Sequence, residues 1–265
     1  MLQSEMQKLF LKRIKKQKIT IIIIQITITF LFIFLWEFLT KIGILNSFIY
    51  SSPSKMIVTI KSLYLSHNLF PHIFSTLYEV LVSFLLGISL GFIIAIIFYE
   101  LPMIAKIFDP FLTVLNSLPK VALGPIIIII AGANTKSIIL MALLINLIVS
   151  ITTIYNGFLN TDSIKLKMFK TFNASKKQIL FKLVIPSSYR TIISSLKLNI
   201  ALTLIGVITG EFLVSQKGIG YLIIYGTQVF NLDLVMAGIF LLLVISFILY
   251  EIITYLEKRL LKTSH

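Results

Sequence analysis

The chain has no cysteine, which excludes disulfides, thiol nucleophiles and cysteine-ligated metals at once. Histidine is nearly as scarce. His67, His72 and His265 lie far apart or in no ligand pattern, so a histidine metal site is not expected. Acidic residues are few, ten Asp and Glu against twenty-four Lys and Arg. Charged residues of either sign make up only 13% of the 265 positions, whereas 57% are hydrophobic. A soluble domain of this length needs far more polar surface, so the composition reads as a polytopic membrane protein. The formal net charge of +14 would point a soluble domain toward nucleic acid. In a membrane protein it reflects basic cytoplasmic loops, and no nucleic-acid partner is expected. There is also no Gly-x-x-x-x-Gly-Lys-Ser/Thr phosphate loop, no paired carboxylates and no Ser/His/Asp arrangement. The chain is therefore not read as an enzyme. If ATP drives it, another chain must hydrolyse the ATP.

What is present is a series of long apolar runs. A helix of about 20 residues crosses a bilayer's hydrocarbon core. The basic segment from Lys8 to Lys18 precedes an apolar run at 19–39, too long for a signal-peptide core and without a small-residue cleavage site. Further runs lie at 73–98, 114–131, 137–155, 192–214 and 234–255. The expectation is an all-α polytopic membrane protein with about six transmembrane helices. Pro119 and Pro125 interrupt the third run and predict a kink. Gly87 and Gly91, four apart, predict close helix packing in the second. Between the first two runs a Ser-Pro-Ser turn at 52–54 leads into an amphipathic stretch at 55–65. The segment 215–233 is apolar, carries glycine and looks re-entrant.

With both termini inside, seventeen Lys and Arg fall on the inner face and five on the outer, as the positive-inside rule requires. The expected organisation is a cytoplasmic basic N-terminus at 1–18, a membrane domain at 19–256 and a cytoplasmic tail at 257–265. No internal repeat is visible, so the inverted-repeat plan of many secondary transporters gains no support.

The inner segment 161–190 is too charged to cross a bilayer, yet it has helical periodicity. Leu166, Phe169 and Phe172/Asn173 recur at helical spacing, and Ile179, Leu183 and Pro186 form a second apolar face. Asn173 tolerates left-handed geometry and Ser175 suits an N-cap, so the stretch predicts two short helices at an angle, ending at Pro186. Physics alone leaves two readings open. The pair is a docking surface whose Phe169 and Phe172 enter a partner's cleft, or a lysine-anchored pair on anionic lipid.

This segment resembles the cytoplasmic signature of ATP-binding-cassette importer permeases. That pattern runs Glu-Ala-Ala, three residues, Gly, nine residues, Ile, one residue, Leu-Pro. Aligned on Pro186, Ile185 and Leu183 take the end of the pattern, Asn173 takes the glycine, and Lys167, Met168 and Phe169 take the Glu-Ala-Ala. The spacing holds, while the glutamate has become a lysine. The stretches "SSPSKMI", "IFDPFLTVLNSLPKVALGPIIIIIAG" and "LTLIGVITGEFLVSQKGIGYLI" are similar to blocks of the nitrate, sulfonate and taurine branch. The resemblance implies a type I importer permease fold with a cytoplasmic coupling-helix hairpin. It implies ATPase coupling through Lys167, Met168, Phe169, Phe172, Asn173, Ala174, Ser175, Leu183 and Pro186. The implied partners are a cytoplasmic ATPase that carries ATP and Mg, an external solute-binding protein, and a second permease copy, commonly an identical one. Relatives in the branch carry nitrate, aliphatic sulfonates, taurine, thiamine-precursor pyrimidines or riboflavin. The implied location is the cell membrane, in contact with lipid, with both termini cytoplasmic. An ion-coupled secondary carrier and a non-transporting membrane scaffold remain the alternatives.

A few polar residues stand out among the apolar ones. Glu211, at the end of the fifth run, either faces a pathway or pins the outer loop by pairing with Lys217 or a nearby hydroxyl. Gly218 and Gly220 suit an outer gate or an ordinary turn. Asn146, Ser150, Asn199 and Thr203 either line a polar path or bond helix to helix. Glu37, Glu79 and Glu251 read as polar contacts between helices or at the interface, with a proton relay as the carrier alternative. Trp36 and several tyrosines suit interfacial anchoring.

Overall fold

The computed structural model describes residues 2–262, with side chains from 10 to 261. Residue 1 of the basic N-terminus and residues 263–265 of the tail, His265 among them, lie outside the described residues. The described chain is helical: α1 Leu2–Lys41, α2 Ser47–Tyr50, α3 Pro53–Leu65, α4 Leu69–Glu100, α5 Pro102–Ser117, α6 Gly124–Ala131, α7 Thr135–Leu159, α8 Ser163–Thr171, α9 Lys176–Ile179, α10 Ile185–Val214, α11 Ile219–Gln228 and α12 Leu232–Lys262. Among the described residues five helical stretches are long and apolar enough to span a membrane, and a bent pair supplies a sixth.

That bent pair is the ragged third run. α5 and the segment Lys120–Ala131 meet at 94°. The reason is local. Leu118 precedes Pro119, whose ring disfavours helical geometry in the residue before it, and Leu118 is extended at ψ 139. A turn of 3-10 helix at Lys120–Leu123 follows, and Pro125 opens α6, where no N–H is needed. α7 then starts on a capping box. The Asn134 side chain accepts from the Lys136 N–H at 2.8 Å, and Ser137 reaches back to the Asn134 backbone.

The core is a three-helix sandwich with α7 held between α4 and α10. Small residues bring the backbones together. A side chain at Gly87 would occupy the space of the Asn146 amide, and one at Gly91 would meet the Ser150 Cβ at 2.5 Å. On the other side, a side chain at Gly206 would meet the Ala142 Cα at 2.5 Å and one at Gly210 the Ile138 Cα at 3.0 Å. The close packing expected from Gly87 and Gly91 is thus made against α7. Lipid tails are as apolar as these helices, so contact area and hydrogen bonds hold them together rather than exclusion of water. Val80, Phe84, Ile138, Ala142, Ile200 and Val207 fill the outer half of the sandwich, with α12 packed beside it.

α1 is different. None of its apolar run is buried by the rest of the chain. Its outer end is tied to α3, where the Glu37 carboxylate accepts from the Ser54 N–H at 3.1 Å and the Ser54 hydroxyl at 3.0 Å, and pairs with Lys41 at 3.1 Å. Glu37 is therefore a tether between helices. Glu251 is exposed on α12.

The backbone contact at Gly206 generates a test. Gly206→Val forces α7 and α10 apart and is expected to destabilise the permease by about 1–3 kcal/mol. Ile130→Val, on a side chain 77% exposed in the single chain, is expected to leave the thermal unfolding midpoint in detergent unchanged.

Candidate functional site

Two hairpins carry the chemistry, one at each end of α10. At the end expected from sequence to be inner, Asp162 caps α8 by accepting from the Ile164 N–H at 2.8 Å. α8 has two apolar faces. Leu166, Phe169 and the following Ala174 pack on a cluster of Ala95, Ile154, Phe158, Leu180, Leu183 and Val184. On the opposite face Ile164, Met168 and Phe172, four apart, are 75%, 48% and 76% exposed. Lys165, Lys167 and Lys170 rim that stripe, all exposed.

The turn after α8 ends the helix by reversing the chain. The Ala174 N–H donates to the Phe169 carbonyl at 3.1 Å and the Asn173 N–H to the Lys170 carbonyl at 3.0 Å. Asn173 sits at φ 53, the left-handed position such a helix end requires. Ser175 and Gln178 then form a reciprocal capping box at 2.8 and 3.3 Å. Left-handed Asn173 and capping Ser175 appear as expected from sequence. The expected stop at Pro186 does not occur. α9 runs through a π turn at Leu180–Val184 into α10, so the helix is continuous from Lys176 to Val214. Proline lacks an N–H and its ring presses on the preceding turn, and the wider π turn just before it makes room.

At the opposite end, expected from sequence to be outer, the chain leaves α10 at Val214 and turns into α11. α11 has no side-chain cap of its own. Its first N–H groups are capped by other helices instead. The Gly218 N–H donates to His72 Nδ1 at 3.0 Å, the Ile219 N–H to Thr76 Oγ1 at 2.9 Å, and the Gly220 N–H to Glu211 Oε2 at 2.5 Å. The Thr76 hydroxyl donates onward to Glu211 Oε1 at 2.6 Å. A carboxylate at a helix N-terminus meets both its free N–H groups and its dipole. Gly218 is at φ 112, and a side chain there would collide with the Glu211 carboxyl. His72 also stacks on Tyr221, ring centres 5.7 Å apart. Glu211 thus pins the outer hairpin through the hydroxyl of Thr76, and Lys217 is not its partner.

Between the hairpins a polar lattice ties α4, α7 and α10. Asn146 Nδ2 donates to the Ser83 carbonyl at 3.1 Å and to Thr203 Oγ1 at 2.7 Å. Ser150 donates to Asn199 Oδ1 at 3.0 Å, and Thr203 to the Asn199 carbonyl at 2.7 Å. Asn146, Ser150, Asn199 and Thr203 are all fully buried within this one chain.

The residues singled out from sequence therefore divide into separate places. Lys167, Met168, Phe172, Asn173 and Ser175 line the exposed side and tip of the inner hairpin. Phe169, Ala174 and Leu183 face the bundle. Glu211, Gly218 and Gly220 meet at the outer hairpin, and Asn199 and Thr203 lie between. Sequence reasoning missed Ile164, although its spacing of four from Met168 and Phe172 was the signal. It also missed His72 and Thr76, which with Glu79 and Ser83 make a polar stripe at 72, 76, 79 and 83 on an otherwise apolar α4. Among the described residues no three His, Asp or Glu come together to hold a metal.

Comparison with known proteins agrees with this geometry. Residues 83–262 match the family described as the binding-protein-dependent transport system inner membrane component. A "Probable ABC transporter permease protein" of Haemophilus influenzae is 29% identical over 227 residues, covering 85% of this chain and 91% of that protein. The formylaminopyrimidine transport permease protein ThiX of Halalkalibacterium halodurans is 26% identical over 213 residues, covering 80% and 85%. Among solved structures, a chain of the inward-facing MetNI methionine ABC transporter superposes with a TM-score of 0.62 at 15% identity, covering 76% of this chain and 98% of that one, a likeness of fold. The chain belongs to the binding-protein-dependent transport inner membrane component family: it is a multi-pass permease subunit of an ATP-binding-cassette importer, forming the path for a small solute, without catalytic activity of its own, and served by a separate ATPase and a solute-binding protein.

Proposed function

We propose that the inner hairpin at 161–190 is the lever on which the ATPase acts, and that the outer hairpin at 215–231 is the gate it moves. One observation carries this reading: a single helical rod of 39 residues, Lys176–Val214, joins the two. At 1.5 Å per residue the rod is about 58 Å long. Its inner end starts at the turn after α8, and its outer end carries Glu211, which caps α11. A push on α8 therefore reaches the outer hairpin without crossing a flexible joint. Ile164, Met168 and Phe172 are the side chains that enter the ATPase, while Phe169 and Leu166 hold α8 to the rod. Lysines around the stripe, Lys167 included, ask for an acidic rim on the ATPase. ATP and external solute each favour different arrangements of the same rod.

The working unit in this reading is two identical copies, with the solute path between them. The polar groups of Asn146, Asn199 and Thr203 are used up inside one sandwich, which leaves the α4–α7–α10 interior filled. The N-terminus, inner hairpin and tail face the cytoplasm of a cell-membrane importer, in line with the distribution of positive charge. The cargo class is a small anion of the nitrate, sulfonate or taurine kind, or a thiamine-precursor or riboflavin-like compound. Similarity to a formylaminopyrimidine permease supports the second group. The family's dependence on ATP sets the ion-coupled carrier aside.

Phe172→Ala with Met168→Ala is expected to weaken co-purification of the ATPase by at least tenfold, about 1.4 kcal/mol, and to leave permease stability unchanged. Phe169→Ala is expected to lower stability first. Equal ATPase binding by the double variant would sink the lever assignment. A cysteine at Lys176 is expected to react with an impermeant thiol reagent in inverted vesicles and not in intact cells. Titration calorimetry of the partner solute-binding protein with a sulfonate, taurine and a formylaminopyrimidine is expected to give saturable binding for one class.

A further inference from the structure

The cap on the outer hairpin contains one acceptor too many. Glu79 on α4 is 1% exposed and Glu211 on α10 is fully buried. Glu79 follows Thr76 by three residues on the same face of α4, and Thr76 donates to Glu211 Oε1, which brings the two buried carboxyl groups to one site between α4 and α10. The hydrogen-bond donors to the pair are the Thr76 hydroxyl and the Gly220 N–H, neither of them cationic. The charged or titratable side chains nearby are His72, spent as an acceptor from Gly218, and Lys217 and Tyr221 at the hairpin itself.

Hydrogen directions decide which carboxyl is which. The Ile219 N–H donates to Thr76, so the Thr76 hydrogen must go to Glu211 Oε1. Gly220 donates to Oε2. Both Glu211 oxygens accept, an arrangement that is strongest in an ionised carboxylate. Glu79 has the opposite inventory. Its Oε2 is buried and has no donor. Two ionised carboxylates at one dry site repel strongly, and an unpaired buried oxygen costs further free energy. One hydrogen, placed on Glu79 and aimed at Glu211, satisfies both residues.

We propose that Glu79 and Glu211 form a proton-binding site that holds one hydrogen ion, resident on Glu79 and donated to Glu211, and that this trapped proton completes the cap that locks the outer hairpin to α4. The charge stays on Glu211, at the N-terminus of α11, where N–H groups and dipole favour it. Glu79 is a positioning residue that acts through Glu211. The two glutamates therefore have opposite tolerances. A glutamine at 79 keeps a donor toward Glu211, whereas a glutamine at 211 removes the charge and turns an NH2 group toward existing donors.

The experiment uses the full permease in lipid nanodiscs. Infrared difference spectra between the native protein and Glu79→Gln are expected to show loss of the carbonyl stretch of a protonated carboxylic acid. Amide deuterium exchange at residues 218–221 is expected to stay as slow in Glu79→Gln as in the native protein, and to become at least about tenfold faster in Glu211→Gln, as for a lost hydrogen-bond partner. Absence of the carbonyl band from the native protein overturns the proposal. So does exchange in Glu79→Gln that is faster by the same factor as in Glu211→Gln. So does exchange in the native hairpin that slows with added sodium or potassium, since the pair then holds a metal cation. If Glu211→Gln does not fold, the Glu79→Gln spectra and exchange decide alone.

Discussion

Gly87 and Gly91 from one side, and Gly206 and Gly210 from the other, bring the backbones of α4 and α10 against α7. In a bilayer no water competes for polar groups, and no hydrophobic effect drives helices together. Contact at backbone distance is what makes Asn146 reach both Ser83 and Thr203, and Ser150 reach Asn199. The same contact sets the depth of α4 relative to α10. That depth places His72, Thr76 and Glu79 opposite Glu211. Without the tight sandwich there is no lattice in its middle and no cap at its outer end.

In the proposed lever, the continuous helix from Lys176 to Val214 carries the motion. Ile-Pro at 185–186 invites a joint between the charged hairpin and the span that follows it. The π turn removes it by absorbing the proline within the helix. α8 is a short helix held by Leu166 and Phe169 to the inner end of this rod, so it exposes an apolar stripe without losing its place. The Schellman turn at Asn173 keeps the angle between α8 and the rod through two backbone hydrogen bonds, independent of which side chains surround it.

Each polar feature of the outer hairpin answers one backbone need. A helix entering the membrane region must satisfy its first N–H groups, and α11 brings no residue able to do so. His72, Thr76 and Glu211 each take one. The result links a carboxylate on α10 to a stripe on α4 that is separated from it by more than a hundred residues of chain. Glu37 does similar work at the other outer corner, satisfying the start of α3 from α1.

Much of this was legible in the residues themselves. Run lengths announced the spans, because hydrocarbon thickness is matched by composition and length. Asn173, Ser175 and the prolines at 119 and 125 announced their turns, because left-handed geometry, capping and a missing N–H are local. The direction a residue faces was not local. Phe169 and Phe172 read alike in sequence, yet one holds the hairpin to the bundle and the other is exposed. Asn199 and Thr203 read equally well as path or glue until their partners on other helices were seen. The pairing of Glu79 with Glu211, and the continuity of the helix through Pro186, depend on how three helices register and on how one turn widens. Those are energies of contact between distant segments, and only the assembled bundle sets them.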